Sequence, residues 1–518
     1  MDHGFGNWAT IHASRNPTRP AFVDGATDAV TTWRDLETRT NALADGLRRL
    51  GVRRGDRVAM LTLNSVAMME VYFAVAKLGA ISVPINFRLT AREVRYILTD
   101  SGASVAFVST PFATTLAEAA EGTAVRHRVG VPVDAERAAG VPNDYEQLVA
   151  SGSQDRVVRE VGADEVCVIM YTSGTTGRPK GAMLTHGNFT ANAVNLQGFG
   201  SGLSREDTTI SAAPLFHIGA LGVHTMPLAY VAGATIVMEA FTPEGWLGLA
   251  ERHRITKAFN VPAMWAAIAQ TESLGSRDLS SLTFAVSGGA PCPLVVIKAM
   301  QAAGMAFTEG FGMTETAPAA ACLQQEDVVS HAGSIGRPVN LVDFRIVDEA
   351  GHEVPTGVVG ELTMRGPSVF TGYWDNPVAT AEAFRTGWFH TGDLAHVDEE
   401  GYYTLVDRKK DMVITGGENV YPIEVEQVIY EHPDVVEVAV IGAPDETWGE
   451  IVVAAVVRRE GSTLTEDELM AWTRERIAKF KSPKGIRFVD ALPRTATGKV
   501  LKRVLRSDWT GATGQVSR

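Results

Sequence analysis

The sequence predicts an α/β protein: a large N-terminal domain of parallel sheets with a small, mainly β subdomain, followed by a small C-terminal α+β domain. Three observations carry this expectation. The chain has 518 residues, more than one ordinary core can organise. Strand-like and helix-like apolar patterns alternate from residue 57 to 108, which is how a parallel sheet covered by helices reads. The alternation lapses into short, turn-rich strands over 339–403 and starts afresh beyond Asp411.

Taken in order, residues 32–50 predict a helix, with Leu36, Leu43, Leu47 and Leu50 at helical spacing behind Thr32, a residue able to cap the first turn. Gly51 stops it. Strands follow at 57–63, 81–85 and 104–108, with helices at 67–78 and 91–99 between them. Residues 130–144 mix proline, glycine and charge and read as a surface connection. Val166, Cys167, Val168, Ile169 and Met170 form a buried strand, after which the side chains lose their bulk and the chain must turn. The most apolar stretch, 221–238, contains His224, Thr225, Pro227 and Gly233, so a buried helix and a strand explain it better than a membrane span. A strand at 282–286 runs into Ser287, Gly288, Gly289, Ala290 and Pro291, bare backbone at a strand's carboxyl end. Over 339–403 the turn signals include Glu349-Ala350-Gly351 and Glu399-Glu400-Gly401. The last module predicts helices at 423–431 and 465–479 and strands at 436–441, 451–458 and 486–489, then about twenty residues of basic, flexible tail with no carrier domain.

The composition excludes several classes. Hydrophobic residues make up 45% and charged residues 21%, a globular balance, and a net charge of −13 disfavours nucleic acid, whose phosphates bind surfaces rich in Lys and Arg. Cys167, Cys292 and Cys322 are too few and too scattered for a disulfide framework or a metal cage, which suits packing roles in a reducing cytosol. Asp2, His3 and Arg15 flank no apolar signal core, so a soluble, cytoplasmic protein is expected.

The stretch YTSGTTGRPKG, residues 171–181, holds the strongest chemistry. Gly174 and Gly177 let successive amide N–H groups converge on one anion, Ser173, Thr175 and Thr176 add hydroxyls, and Lys180 adds the charge. Arg178 and Pro179 separate the last of these glycines from the lysine, so this is not a Walker A loop. The same composition also describes a flexible surface loop. Elsewhere the residues alone leave two readings open: His217 in PLFHIGAL as core or site, Glu315 as solvated or ligating, Asp393 as turn cap or binding group, Arg408 and Lys410 as a charge run or a functional segment, Lys499 as an ordinary surface lysine or a working one.

The loop 171–181 resembles the signature of the adenylate-forming superfamily: acyl-CoA synthetases, nonribosomal adenylation domains and beetle luciferases. Further matching strings occur in order at GFGMTE (310–315), GSIGRP (333–338), GWFHTGD (387–393), DRKKDMVITGGENVYP (407–422) and PRTATGK (493–499), so the resemblance spans nearly the whole chain. It implies an ATP-dependent acyl-CoA ligase using ATP, Mg²⁺ and CoA with a small-molecule carboxylic acid. Thr172, Ser173, Gly174, Thr175, Thr176, Gly177 and Lys180 would hold the β and γ phosphates. Gly288, Gly289, Ala290, Gly310, Phe311, Gly312, Met313 and Thr314 would border adenine, with Phe311 in place of the more usual tyrosine; a ring face suffices for stacking. Thr172 and Glu315 would bind Mg²⁺. Asp393 and Arg408 would take the ribose and phosphate, His217 would line the acyl tunnel, and Gly416, Gly417, Glu418 and Asn419 would border the pantetheine channel. Lys499, with Thr176, Lys180 and His217, completes the catalytic set by bridging the carboxylate and the α-phosphate. The resemblance also implies domains at 1–407 and 412–518 around a hinge at 408–411, with Lys410 at the pivot of a mobile C-terminal domain. No arginine near His217 or Gly312 suits a second carboxylate, which disfavours malonate-like acids. A medium- or long-chain fatty acid is the expected substrate; an aryl acid of cinnamate or benzoate type, or loading of a carrier protein, are the alternatives. A nucleotide sensor would be favoured had Lys499, Glu315 or Asp393 been absent. The oligomeric state, a homodimer included, is not readable.

Overall fold

The expected first helix forms at Trp33–Arg49, and its start shows why. Thr32 accepts from the Asp35 backbone N–H at 3.2 Å while Asp35 accepts from the Thr32 N–H at 3.0 Å, a reciprocal cap that satisfies two otherwise orphaned donors. Gly51, at φ +94°, then takes the left-handed backbone that ends the helix. The computed structural model describes residues 2–131, 145–157, 159–172, 179–408, 411–415, 418–445, 448–494 and 500–512. They fall into two units, one of residues 1–343 with 364–389, the other of 344–363 with 390–518.

The first unit is built on two sheets. One has six strands in the order His127–Val131, Val105–Ser109, Arg57–Leu61, Ile81–Pro84, Val166–Thr172 and Lys180–Thr185, all parallel except the last. The other has nine, and its parallel centre runs Phe307–Gly312, Phe284–Gly288, Lys257–Asn260, Thr208–Ser211, Ala234–Val237 and Pro20–Asp24. Antiparallel strands close its edges, Ala319–Cys322 and Arg337–Pro338 at one side and Val30–Thr32 at the other. The parallel α/β expectation is met.

Several boundaries differ: the helix expected at 465–479 is Glu466–Arg474, and the strand expected at 282–286 is Phe284–Gly288. The strand ending at Met170 in the sequence reading continues to Thr172, because Tyr171 pairs with Gly181 and Thr172 with Lys180 across an antiparallel hairpin. Ladder hydrogen bonds extend a strand even where the side chains turn polar. The apolar stretch 221–238 is a π-helical turn Leu221–Thr225, a helix Met226–Val231 and a strand Ala234–Val237, and no described helix is long and apolar enough to cross a membrane. All three cysteines are buried and free.

The second unit contains a four-stranded sheet in the order Asp343–Val347, Gly360–Arg365, Phe389–Val397 and Tyr403–Arg408, as the turn-rich composition predicted. Its C-terminal module is a five-stranded sheet dominated by the antiparallel pair Val435–Asp445 and Gly449–Arg458, with Gly485–Phe488 added in parallel. Helices Pro422–Tyr430 and Glu466–Arg474 supply Val425, Ile429 and Leu469 to a core with Val413, Val440 and Val452. The flexible tail expected after Lys499 is corrected: Lys502–Ala512 is a helix. Leu505 is buried against Ile441 and Val453, the Arg487 guanidinium lies 4.1 Å from the Trp509 ring centre, and Arg506 pairs with Asp411 at 2.8 Å. Leu501, Leu505 and Trp509 recur every four residues, an apolar stripe that the surrounding basic residues obscure in the sequence.

Candidate active site

Lys180 begins the last strand of the six-stranded sheet, and that strand takes a second backbone partner from far along the chain. Met183 N–H donates to Gly372 O at 2.9 Å and Trp374 N–H to Gly181 O at 2.7 Å, while Phe370 N–H donates to Glu315 O at 2.8 Å. Residues 370–374 therefore stitch the strand carrying Lys180 to the turn carrying Glu315. Tyr373, in their midst, donates its hydroxyl to Glu315 Oε1 at 3.0 Å, and its ring centre lies 5.1 Å from Lys180 Nζ. Burial first, and then the Glu315 carboxylate, raise the pKa of Tyr373, so it stays a neutral phenol able to donate. A cation and a carboxylate that the sequence places 135 positions apart thus share one aromatic ring. Thr172 pairs with Lys180 in the hairpin, at the mouth of the glycine-rich loop.

The carboxyl ends of the neighbouring parallel strands give bare backbone. Gly288 ends its strand in register with Gly310, and Gly289 follows at φ +90°, with Gly289 and Ala290 exposed. The strand Phe307–Gly312 carries Phe311, half-buried, and leads through Met313 into a short turn Thr314–Thr316. A Cβ on Gly312 would stand 1.8 Å from Pro318 O, so only glycine fits there. Beneath these ends, Asn260, Ser287 and Glu309 occupy matching register positions on three adjacent strands. The Asn260 amide is fully buried and makes no hydrogen bond to the protein through either Oδ1 or Nδ2. Glu309 accepts from the Cys292 N–H at 2.7 Å, and burial pushes its pKa up to about 7. Sequence reasoning passed over Asn260, Glu309 and Tyr373; the visible signal was polar residues inside otherwise apolar strands and an aromatic pair after Gly372.

His217 precedes the short helix Ile218–Ala220, half-buried, with its ring 4.3 Å from that of Phe216. A Cβ on Gly219 would meet Phe259 Cζ at 3.0 Å, and one on Gly288 would meet Phe259 Cε2 at 3.2 Å. Phe259, also missed from the sequence, is therefore the wall between the His217 turn and the Gly288 turn.

In the second unit, Asp393 is buried within the strand Phe389–Val397 rather than capping a turn, and its backbone lies opposite Arg408. Glu418 is exposed at the start of the strand Glu418–Val420. Ser173, Gly174, Thr175, Thr176, Gly177, Lys410, Gly416, Gly417 and Lys499 lie outside the described residues.

The family model for the AMP-binding enzyme matches residues 10–374, and that for the AMP-binding enzyme C-terminal domain matches 424–499. The chain belongs to the AMP-binding enzymes. This is the adenylate-forming superfamily that the ordered motifs indicated, and the chain is an AMP-forming acid–thiol ligase. It is 44% identical over 505 residues to a feruloyl-CoA synthase of an Amycolatopsis species, covering 98% of this chain and 99% of that one. It is 36% identical over 499 residues to the long-chain-fatty-acid–CoA ligase FadD13 of Mycobacterium tuberculosis, covering 96% and 97%. Among solved structures, the ATP-bound MatB of Rhodopseudomonas palustris superposes with a TM-score of 0.91 at 32% identity, covering 99% of this chain and 100% of that one. As an AMP-binding enzyme, the chain works on ATP, CoA and a small-molecule carboxylic acid.

Proposed function

We propose that this enzyme couples an aryl acid to CoA through an acyl-adenylate. The observation that carries the nucleotide half is the shared Tyr373 ring, which brings Lys180 and Glu315 together beside Thr172 at the mouth of the phosphate loop. In the first half-reaction a carboxylate oxygen attacks the α-phosphorus of ATP, the α–β phosphoanhydride bond breaks, and pyrophosphate leaves. Both reactants are anions, so fixed cations and backbone dipoles must offset their repulsion. Thr172 to Lys180 grip the β and γ phosphates, Gly288 to Ala290 and Gly310 to Thr314 hold adenine, Asp393 and Arg408 hold the ribose, and Lys499 neutralises the forming anhydride. Glu315 and Thr172 offer hard oxygen donors that fit Mg²⁺, an ion usually held by one or two carboxylates plus substrate phosphates, and its charge would further screen those phosphates. In the second half-reaction a turn about 408–411, with Lys410 at the pivot between domains 1–407 and 412–518, brings Gly416, Gly417 and Glu418 to the site. The CoA sulfur attacks the acyl carbonyl, the carbon–oxygen bond to AMP breaks, and the thiol proton passes to solvent. The setting is cytoplasmic.

An aryl acid is favoured over the fatty acid first expected, because the feruloyl-CoA synthase is the more similar of the two relatives and because Phe259 closes the pocket wall with an aromatic face. The likeness to FadD13 favours the fatty acid as the second reading. Pyrophosphate release is measured with ATP over hydroxycinnamates, benzoates and saturated fatty acids of increasing length, followed by thioester formation on adding CoA. Release with hydroxycinnamates and thioester on addition of CoA are expected. No release with any aryl acid overturns the substrate, and release without thioester overturns the ligase reading. Lys499→Ala, in the same assay, should lose adenylation roughly a hundredfold to a thousandfold, as deletion of a preorganised charge does, yet still convert supplied acyl-AMP.

A further inference from the structure

A small cavity of about 10 Å³ lies behind Phe259, between the strand Thr208–Ser211 and the π-helical turn Leu221–Thr225. Three of the side chains lining it carry polar atoms without a hydrogen bond to the protein: Thr209 Oγ1, Ser211 Oγ and His224 Nδ1. All three residues are deeply buried, at 1%, 4% and 4% exposure. Buried polar groups are nearly always partnered, and leaving one without a partner costs as much as a hydrogen bond is worth, so three around one cavity point to a polar group that enters it. His224 is a neutral imidazole, since burial pushes its pKa down to about 3, and a neutral ring nitrogen accepts or donates without bringing a charge.

The register fixes where this polar end stands. Lys257 pairs with Thr209 and Ala258 with Ile210, so Thr209 and Ser211 share the sheet face of Phe259. Through Lys257 and Phe259, Thr209 and Ser211 stand level with Phe284 and Val286, four and two residues before Gly288, which puts them roughly 13 and 7 Å deeper than the Gly288 turn at about 3.3 Å per residue. The His217 turn and the Gly288 turn are at that outer end, where the carboxylate reacts. An acid entering from there reaches Phe259 first and the three polar atoms last.

We propose that Thr209, Ser211 and His224 form the far end of the acid pocket and select aromatic acids with a hydrogen-bonding substituent, such as a phenolic hydroxyl, at the ring position opposite the carboxyl-bearing arm. The proposal rests on the aryl-acid reading above. A cavity of this size takes one oxygen atom beyond the ring, and an alkyl terminus there would leave all three polar groups unpaired. Sites that hydrogen-bond a substrate hydroxyl reject the analogue that lacks it far more strongly than apolar pockets reject an extra methylene.

The test is the ratio of kcat/KM for para-hydroxycinnamate to that for cinnamate, two acids of one shape differing in a single hydroxyl. The parent enzyme should favour the hydroxylated acid by about tenfold or more. Ser211→Ala and the isosteric Thr209→Val should each reduce that ratio severalfold, and His224→Leu should do so most; Thr209→Val keeps the packing volume and serves if another variant fails to fold. A ratio near one in a parent that turns over both acids overturns the proposal while leaving the aryl-acid reading intact, as does a ratio that all folded variants retain, in which case the cavity holds a structural water. A parent that turns over neither acid but accepts fatty acids overturns the aryl reading and this proposal with it.

Discussion

The Tyr373 hydroxyl sits 3.0 Å from Glu315 Oε1, and the same ring lies under the ammonium of Lys180. Tyr373 thus holds the carboxylate in one orientation while leaving its charge intact. Tyr373→Phe should lower the adenylation rate roughly tenfold to a hundredfold, the range for a hydrogen bond to a charged partner worth about 1.5–3 kcal/mol. It should also raise the magnesium concentration for half-maximal pyrophosphate release. Glu315→Gln should raise it further, since an amide oxygen is a poorer ligand than a carboxylate. An unchanged magnesium dependence in both variants would remove Glu315 from the metal site.

Gly312 tolerates no side chain, because a Cβ there would overlap Pro318 O at 1.8 Å. Gly312→Ala must push apart the backbone that shapes the turn to Glu315. ATP affinity, measured by calorimetry, should fall at least tenfold. Gly248→Ala, with open space around its Cβ position, should bind ATP as the parent does.

Buried His and Glu groups should tilt stability in opposite directions below about pH 7. Burial pushes His186 down to about 4 and His224 down to about 3 from 6.5, so their contributions are fully present above pH 6.5 and are lost as the pH falls from there through about 4 and 3. Burial pushes Glu309 up to about 7 from 4.5, so its contribution is present below pH 4.5 and is lost as the pH rises through about 7. Urea denaturation from pH 5 to 8.5 should show Glu309→Gln gaining on the parent above pH 7 and losing that gain below pH 5. A constant difference across that range would rule out Glu309 as the source of the stability lost between about pH 4.5 and 7.

Leu505 anchors the last helix to the C-terminal sheet at 6% exposure. Leu505→Ala should cost about 2–4 kcal/mol within that module, as large-to-small core changes do. Hydrogen exchange should then speed up in the pair Val435–Asp445 and Gly449–Arg458, with the nine-stranded sheet unaffected.

Much of this molecule is local in origin and could be read residue by residue. Thr32 before a leucine repeat, glycines after an apolar run, and a threonine at the head of Glu466–Arg474 each act within a few positions, and their elements appear where periodicity placed them. What escaped is what depends on pairing across the chain. Thr172 belongs to a strand only because Lys180 faces it, and Tyr373 matters only because the fold carries it to Glu315. Asn260 ends the strand Lys257–Asn260, and its unpartnered amide is visible only once neighbouring strands bury it. The helix Lys502–Ala512 was hidden for a different reason: its stripe is one residue wide and its charges dominate the composition.

Residues 364–389 rejoin the first unit after the chain has spent 344–363 elsewhere, and they bring Tyr373 with them. A nascent chain emerging from the ribosome therefore has every strand of the six-stranded sheet long before it has the segment that flanks Lys180–Thr185. Until about residue 374 has been translated, Gly181 and Met183 expose unmatched backbone and Glu315 lacks its phenol. An unpaired strand edge is a hazard while a chain is incomplete. The order of synthesis thus exposes this edge to chaperones or to aggregation for the time needed to add some two hundred residues, and the face that carries Lys180 is among the last parts of the unit to mature.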